Sequence, residues 1–400
     1  MNRREFLKVS SVLATAALSS KVYALPAPSR QRFLLVFLRG GYDAANLLVP
    51  YTSDFYYQVR PSIAVARPGA VNGQGALELD SHWGLHPALK DTVLPLYGQG
   101  QCLFLPFAGT NDLTRSHFET QDTIEMGQPE AGTRHYDSGF LNRLVSVLGG
   151  RIGGGMSFTS QLPIVFKGEQ PVGNMALRGG LRDVFSGQEA QVLASMYAGT
   201  PLAQPVREGL SLKQEVAKAF EAEMQQANRG AIGAKGFEQE ARRVARMMRD
   251  NPHAAIGFID VGGWDTHVNE GGAQGALANQ LDNLGSGLAA YVQEMGPAWR
   301  DTVVVVLSEF GRTFRENGDR GTDHGHGSVY WVLGGAVRGG QIAGRQIDVN
   351  ERSLFQNRDY PVLNEYRSVL GYIFKRCYGL DRNQLQYVFA GAEPGDYTFL

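Results

Sequence analysis

Four consecutive valines and a leucine, Val303 to Leu307, run into Ser308-Glu309-Phe310-Gly311-Arg312, and Gly321-Thr322-Asp323-His324-Gly325-His326-Gly327 follows soon after. A short β-branched run without alternation suits a strand covered on both faces. Covered strands need helices on both sides, so this one run already constrains the chain to a layered α/β fold. In such folds the loops leaving the carboxyl ends of parallel strands line one edge, where ligands bind. Carboxylate and imidazole are the usual oxygen and nitrogen ligands of Zn, Mn and related divalent ions. Glycines between them let the backbone bend so that neighbouring side chains converge.

The same pattern recurs. Arg32 to Leu38 is an apolar run ending in Arg39-Gly40-Gly41-Tyr42-Asp43. Cys102 to Phe107 leads through a Gly-Thr-Asn-Asp loop to Arg115-Ser116-His117-Phe118-Glu119, which opens a helix reaching about Met126. Ile256 to Asp260 leads to Gly262-Gly263-Trp264-Asp265-Thr266-His267. Each ending has a plainer reading. Asp43 suits a helix N-cap, and so does Ser116. Ser116 also suits a nucleophile, because free N–H groups at a helix start favour incoming anions. Their joint placement, each just past an apolar run, points to one site built from Asp43; Ser116 and His117; Asp260, Asp265 and His267; and Glu309, Asp323, His324 and His326.

Between these runs lie helical patterns over Tyr136 to Leu148 and Tyr366 to Cys377, with a core stripe at Leu277, Leu281, Leu284, Leu288 and Val292. Leu162 to Phe166 and Val329 to Leu333 read as further strands. Residues 181–250 are mostly helical and read as an insertion or cap, within a single domain over 31–400. Residues 50–80, with Pro50, Pro61 and Pro68, read as irregular. His82 and His86 read as structural histidines. Gly149 to Gly155 lacks the Lys-Ser/Thr of a P-loop. No repeat appears.

The amino terminus pairs Arg3-Arg4 with Phe6-Leu7 and a modest apolar run, the pattern of a twin-arginine export signal over 1–24, or to 27 at a second small-residue cleavage site. Its removal takes four basic residues and one acid from a formal charge of −1, leaving −4. The expected location is periplasmic, reached through the twin-arginine machinery, with no stable membrane span afterwards. No block of like charge suggests nucleic acid. Cys102 and Cys377 read as separate buried thiols.

With these motifs in view, the sequence resembles the exported family known as domain of unknown function 1501. The match rests on the twin-arginine start, Leu38-Arg39-Gly40-Gly41-Tyr42-Asp43, Arg115-Ser116-His117-Phe118-Glu119, Gly263-Trp264-Asp265-Thr266-His267, Ser308-Glu309-Phe310-Gly311-Arg312-Thr313 and Thr322-Asp323-His324-Gly325. That family is placed in the alkaline-phosphatase-like superfamily, with phosphatases, sulfatases and cofactor-independent phosphoglycerate mutases. The resemblance implies a central, mostly parallel sheet flanked by helices. It implies Asp43 with Asp323 and His324 as ligands of one metal, Asp265 and His267 as ligands of a second, and Ser116 as nucleophile. The sequence departs from the phosphatases in its short Asp265-to-His267 spacing. No late histidine follows His326, so His326 or a carboxylate would have to serve. Glu309 and Asp323 compete for one ligand role. The Cys-x-Pro-x-Arg signature of formylglycine sulfatases occurs at neither cysteine.

The expected activity is metal-dependent hydrolysis of phosphate or related esters, on a small molecule or a polymer, with one or two ions drawn from Zn, Mn, Mg or Ca. Arg312 and Arg115 would hold the non-bridging oxygens, and His117 or His267 would protonate the leaving group. The alternative is a non-catalytic exported binding or assembly protein on the same scaffold. A transferase or mutase using the same serine is a third.

Overall fold

The computed structural model describes residues 30–129, 134–177 and 228–400. The expected export signal and residues 181–227 of the expected insertion lie outside them.

The β-branched and aromatic runs form a nine-stranded sheet. Its strands are β1 (Arg32–Leu38), β5 (Cys102–Gly109), β6 (Gly155–Ser157), β7 (Gly173–Asn174), β8 (Ile232–Gly233), β9 (Ile256–Gly262), β10 (Thr302–Ser308), β11 (Ser328–Gly334) and β12 (Asn364–Glu365). The order is β12-β5-β11-β10-β1-β9-β6-β7, with β8 also on β9. The central strand β1 pairs in parallel with β10 and β9. Only β11 runs against its neighbours, β10 and β5. Short strands β2 (Leu48–Val49), β3 (Leu77–Glu78) and β4 (Gly84–Leu85) make a separate antiparallel sheet.

The helices are α1 (Ala44–Leu47), α2 (Asp54–Val59), α3 (Val93–Gly98), α4 (His117–Met126), α5 (Phe140–Leu148), α6 (Phe237–Asp250), α7 (Ala276–Met295), α8 (Tyr366–Tyr378) and α9 (Arg382–Val388). Alternation along β1 divides them between the faces. Leu34, Val36 and Leu38 join the core formed with Val244 and Met248 of α6 and Leu281, Leu284 and Leu288 of α7. Phe33, Leu35 and Phe37 join the core formed with Phe140 and Leu144 of α5 and Ile373 and Phe374 of α8. Both faces are covered, as the unalternating valines of β10 require. The last part of the expected insertion, α6, is therefore a layer of the main body.

Three local expectations change. Leu162 to Phe166 is no strand: Pro163 precedes a 3₁₀ turn at Ile164–Phe166, and a proline cannot donate to a ladder. The helix expected from Tyr136 starts at Phe140, because Gly139 packs its backbone against Ile164 and Val165, where any Cβ would clash. Residues 50–80 are less irregular than expected, since they hold α2 and β3. His86 is structural, with Nδ1 accepting from Ala88 N and Nε2 on Gly272 O. Cys102 and Cys377 are unbridged. No helix among the described residues is long and apolar enough to cross a membrane.

The topology sets where chemistry can occur. β1, β5, β9 and β10 all end at the same edge, and β11 begins there because it is antiparallel. The loops 39–43, 110–116, 263–267 and 309–327 therefore meet at one rim.

Candidate metal centre

His117, the first residue of α4, points inward and is almost completely buried. Its Nε2 lies 2.9 Å from Nε2 of His324. His267 brings its own Nε2 to 3.2 Å from the same atom. Asp265 closes the group: Oδ1 is 2.8 Å from His267 Nε2 and 3.3 Å from His324 Nε2, and Oδ2 is 3.5 Å from His117 Nε2. His117, Asp265 and His324 present ligand atoms all within 4.8 Å of one another.

The outer nitrogens explain why the inner ones converge. His117 Nδ1 is 2.8 Å from Glu309 Oε1, His324 Nδ1 is 3.0 Å from the carbonyl of Arg115, and His267 Nδ1 is 3.4 Å from Asp323 Oδ1. Each partner is an acceptor, so each Nδ1 carries the hydrogen and the three Nε2 atoms turn inward, with Arg312 Nη1 also 3.5 Å from that of His267. Imidazole nitrogens facing each other at such distances need a proton or a metal ion between them. A tetrahedral zinc ion, with ligand bonds of about 2.0–2.1 Å, spaces its ligand atoms about 3.3 Å apart. The observed contacts bracket that value. Asp265 Oδ2 is buried without a hydrogen-bond partner, which also fits a carboxylate set out for a cation. A carboxylate or carbonyl behind each imidazole is the usual outer support of a metal-bound histidine.

The electrostatics agree. Burial opposes charge on His117, yet its interactions with the carboxylates of Asp265 and Glu309, which accept from the ring, outweigh it and raise its pKa to about 9. Without a metal, that extra proton supplies the missing positive charge. Burial pulls His324 below its ordinary value. Burial opposes ionisation of Asp265, but Arg312 and the histidines hold its carboxyl far below the usual range. Burial likewise works against Glu309, and His117 with Gln121 brings it to about 2.

Backbone geometry holds these loops. Gly40 adopts φ +122°, and a Cβ there would lie 2.6 Å from Asp265 N. Gly325 presses on the backbone of Arg312, where a Cβ would come within 2.4 Å. That closeness permits the bridge between Arg312 and His324. Arg115 is a non-glycine residue at φ +52°, a conformation that must be imposed by its surroundings.

The expected site is thus partly reassembled. Asp265 and His267, expected at a second metal, meet His324, expected at the first with Asp43 and Asp323. His117, expected as an acid, lies among the ligand atoms. Asp43 is elsewhere: it caps α1 at Ala45 N, and both its oxygens are taken by Arg60. Glu309 faces the outer nitrogen of His117 instead of the cluster, because Gly40 N, Gln121 and Ser308 fix its carboxylate. Asp323 is a half-exposed support behind His267. His326 packs on Phe355, and burial lowers its pKa to about 4. Asp260 is held by Arg39. Arg312 bonds Asp265 at 2.5 Å. Arg115 turns away to Asp359 at 2.7 Å and to Gln356. Ser116 occupies the N-cap position of α4, but its hydroxyl makes no capping bond. Asp359, which braces Arg115, carried no sequence signal.

Near Asp43 lies Glu270, which is fully buried. Burial first, and the Asp43 charge second, raise its pKa well above the ordinary carboxyl value, against the pull of Arg60, Thr322 and Arg312. The folded protein therefore keeps this proton at pH values where the unfolded chain, near pKa 4.3, has lost it. Its stabilising contribution is complete below that value and is lost as pH rises through the folded pKa. Glu270→Gln removes the dependence. The variant should gain in melting temperature relative to wild type as pH rises from 4 towards 9; parallel profiles would refute the assignment.

The sequence model of one family, "Protein of unknown function (DUF1501)", matches residues 30–389. The chain belongs to the DUF1501 family. No protein of curated function matches this DUF1501 chain in sequence. Among solved structures, one resembling it is Ps i-CgsB in complex with k-i-k-neocarrahexaose, with TM-score 0.40, 10% identity, 88% of this chain and 73% of that chain covered. Another is a protein in the alkaline phosphatase superfamily from Vibrio parahaemolyticus, with TM-score 0.36, 9% identity, 84% of this chain and 69% of that chain. The fold of this DUF1501 chain is α/β, a large, mostly parallel sheet flanked by helices.

Proposed function

We propose that this DUF1501 protein is an exported metal-dependent hydrolase of phosphate or related ester bonds. A divalent ion would be held by His117, His267, His324 and Asp265, with Ser116 as nucleophile. The observation that carries the reading is the convergence of three Nε2 atoms, each ring pinned at Nδ1 by an acceptor, on a carboxylate with one unpartnered oxygen. Imidazole-rich donors favour Zn or another transition ion over Ca or Mg, which take oxygen.

When bound, the ion supplies positive charge that lowers the pKa of a nearby hydroxyl and neutralises a transferring group. The protein's own part is positional. Ser116 stands next to the ligand His117, with its hydroxyl uncommitted and the amino end of α4 behind it, so an anion formed there meets free N–H groups. Glu309 and the Arg115 carbonyl fix the tautomers of His117 and His324. Arg312 keeps Asp265 ionised. The Arg3-Arg4 pair before Phe6-Leu7 and an apolar run supports a location outside the cytoplasm, and the ester would belong to a small molecule or a polymer.

Ser116→Ala should leave bound metal and melting temperature unchanged. It should lower turnover of an ester found by screening the zinc form by at least about 10³-fold, the scale of losing a nucleophile that acts as part of a unit. Unchanged turnover would remove Ser116 from the mechanism. One observation favours a second reading, an exported binding or assembly protein. Arg115 and Arg312, the guanidiniums expected to clamp substrate oxygens, are already paired with Asp359 and Asp265. Metal-loaded protein inactive against phosphate and sulfate esters would support it.

A further inference from the structure

Beside the histidine cluster lies a second concentration of charge, and it is already closed. Arg60 is wholly buried. Its guanidinium has five N–H groups, and each meets an oxygen. Nε donates to Phe314 O at 2.7 Å; Nη1 donates to Asp43 Oδ2 at 2.5 Å and Asn46 Oδ1 at 3.0 Å; Nη2 donates to Asp43 Oδ1 and Thr313 O, both at 3.0 Å. A carboxylate, an amide oxygen and two backbone carbonyls form the donor chemistry that hard cations such as Mg²⁺ and Ca²⁺ take. Here that cage surrounds an organic cation that stays protonated at any working pH.

We propose that Arg60 is this protein's fixed cation at Asp43, so that the chain takes one divalent ion, at the histidine cluster, and not a pair. The inference rests on the metal reading above and corrects the ligand role that resemblance implied for Asp43. Two arguments carry it. A metal ion at Asp43 would have to displace a guanidinium that holds five hydrogen bonds and has no solvent to move into. Charge also balances without a second ion. Asp43 cancels Arg60. Around the histidines, Asp265, Glu309 and Asp323 stand against Arg312, an excess of two negative charges that one divalent ion neutralises.

The test is a metal count on purified protein equilibrated with excess Zn²⁺, and separately with millimolar Mg²⁺ or Ca²⁺ added. Wild type, Asp43→Asn and His324→Ala are compared, with circular dichroism as the check on folding. The expected result is one equivalent of zinc in wild type and in Asp43→Asn, none in His324→Ala, and no added Mg²⁺ or Ca²⁺ in any of them. Two equivalents in wild type, or loss of the ion from folded Asp43→Asn, would overturn the single-ion inference and leave the metal reading standing. No ion in wild type would overturn both. Should Asp43→Asn fail to fold, the wild-type count still decides.

Discussion

His324→Ala should abolish the effect of zinc on stability. Wild type with zinc at about 1,000 times its dissociation constant gains about 4 kcal/mol, because only the folded state assembles the ligands. The variant should gain nothing measurable. Without metal the two should differ little: His324 Nε2 sits 2.9 Å and 3.2 Å from two other imidazole nitrogens, and deleting the ring relieves that crowding but also removes the acceptor of the extra proton on His117. Its side chain is also partly exposed, so water can enter the space and no sealed cavity is left. Metal-free His324→Ala should therefore melt close to metal-free wild type, and with zinc added it should melt well below zinc-loaded wild type. The contrast with Asp323→Ala separates ligand from support. Asp323 reaches the cluster only through the outer nitrogen of His267, so its loss should weaken zinc by about 10–100-fold without abolishing it. Equal zinc-induced shifts in wild type and His324→Ala would end the ligand assignment.

The sheet was legible because its strands are chemically unambiguous. Val303 to Leu307 and Arg32 to Leu38 have no polar face, so they could only be covered strands, and their polar endings could only fall at a sheet edge. That logic located Asp265, His267 and His324, each in a glycine-flanked loop. It went wrong where a side chain's role depends on a partner remote in sequence. Asp43 looks like a ligand until Arg60 is found on it, and nothing in Gln58-Val59-Arg60-Pro61 announces that pairing. Glu309 looks like a ligand until His117 arrives from the start of α4, across the sheet. His117 was visible as a histidine beside Ser116, but whether its ring turns inward depends on Glu309 and Gln121, not on local sequence. Asp359 lies in a stretch without pattern and matters only because Arg115, held at φ +52°, offers its carbonyl to His324. Fold follows from local pattern here; the assignment of carboxylates to metal, histidine or arginine does not.

Arg60→Leu should be among the most damaging single substitutions in the chain. It leaves Asp43 with 1% of its surface exposed and without its counter-ion. Asn46 Oδ1 and the carbonyls of Thr313 and Phe314 also lose a donor. Removing one partner of a buried ion pair costs about 3–5 kcal/mol, a large share of the 5–15 kcal/mol typical of a folded protein. The loss should fall on stability, not on zinc binding, since Arg60 touches no residue of the histidine cluster. Pairing the change with Asp43→Asn should recover much of it, because the uncompensated charge is gone, and the coupling between the two sites should be a substantial fraction of the single-variant cost. Denaturant midpoints of the two single variants and the double, at fixed pH and with chelator present, measure that coupling. A cost below about 1 kcal/mol for Arg60→Leu, the range of exposed pairs, would mean that solvent reaches Asp43, and the closed cage inferred around the guanidinium would be wrong.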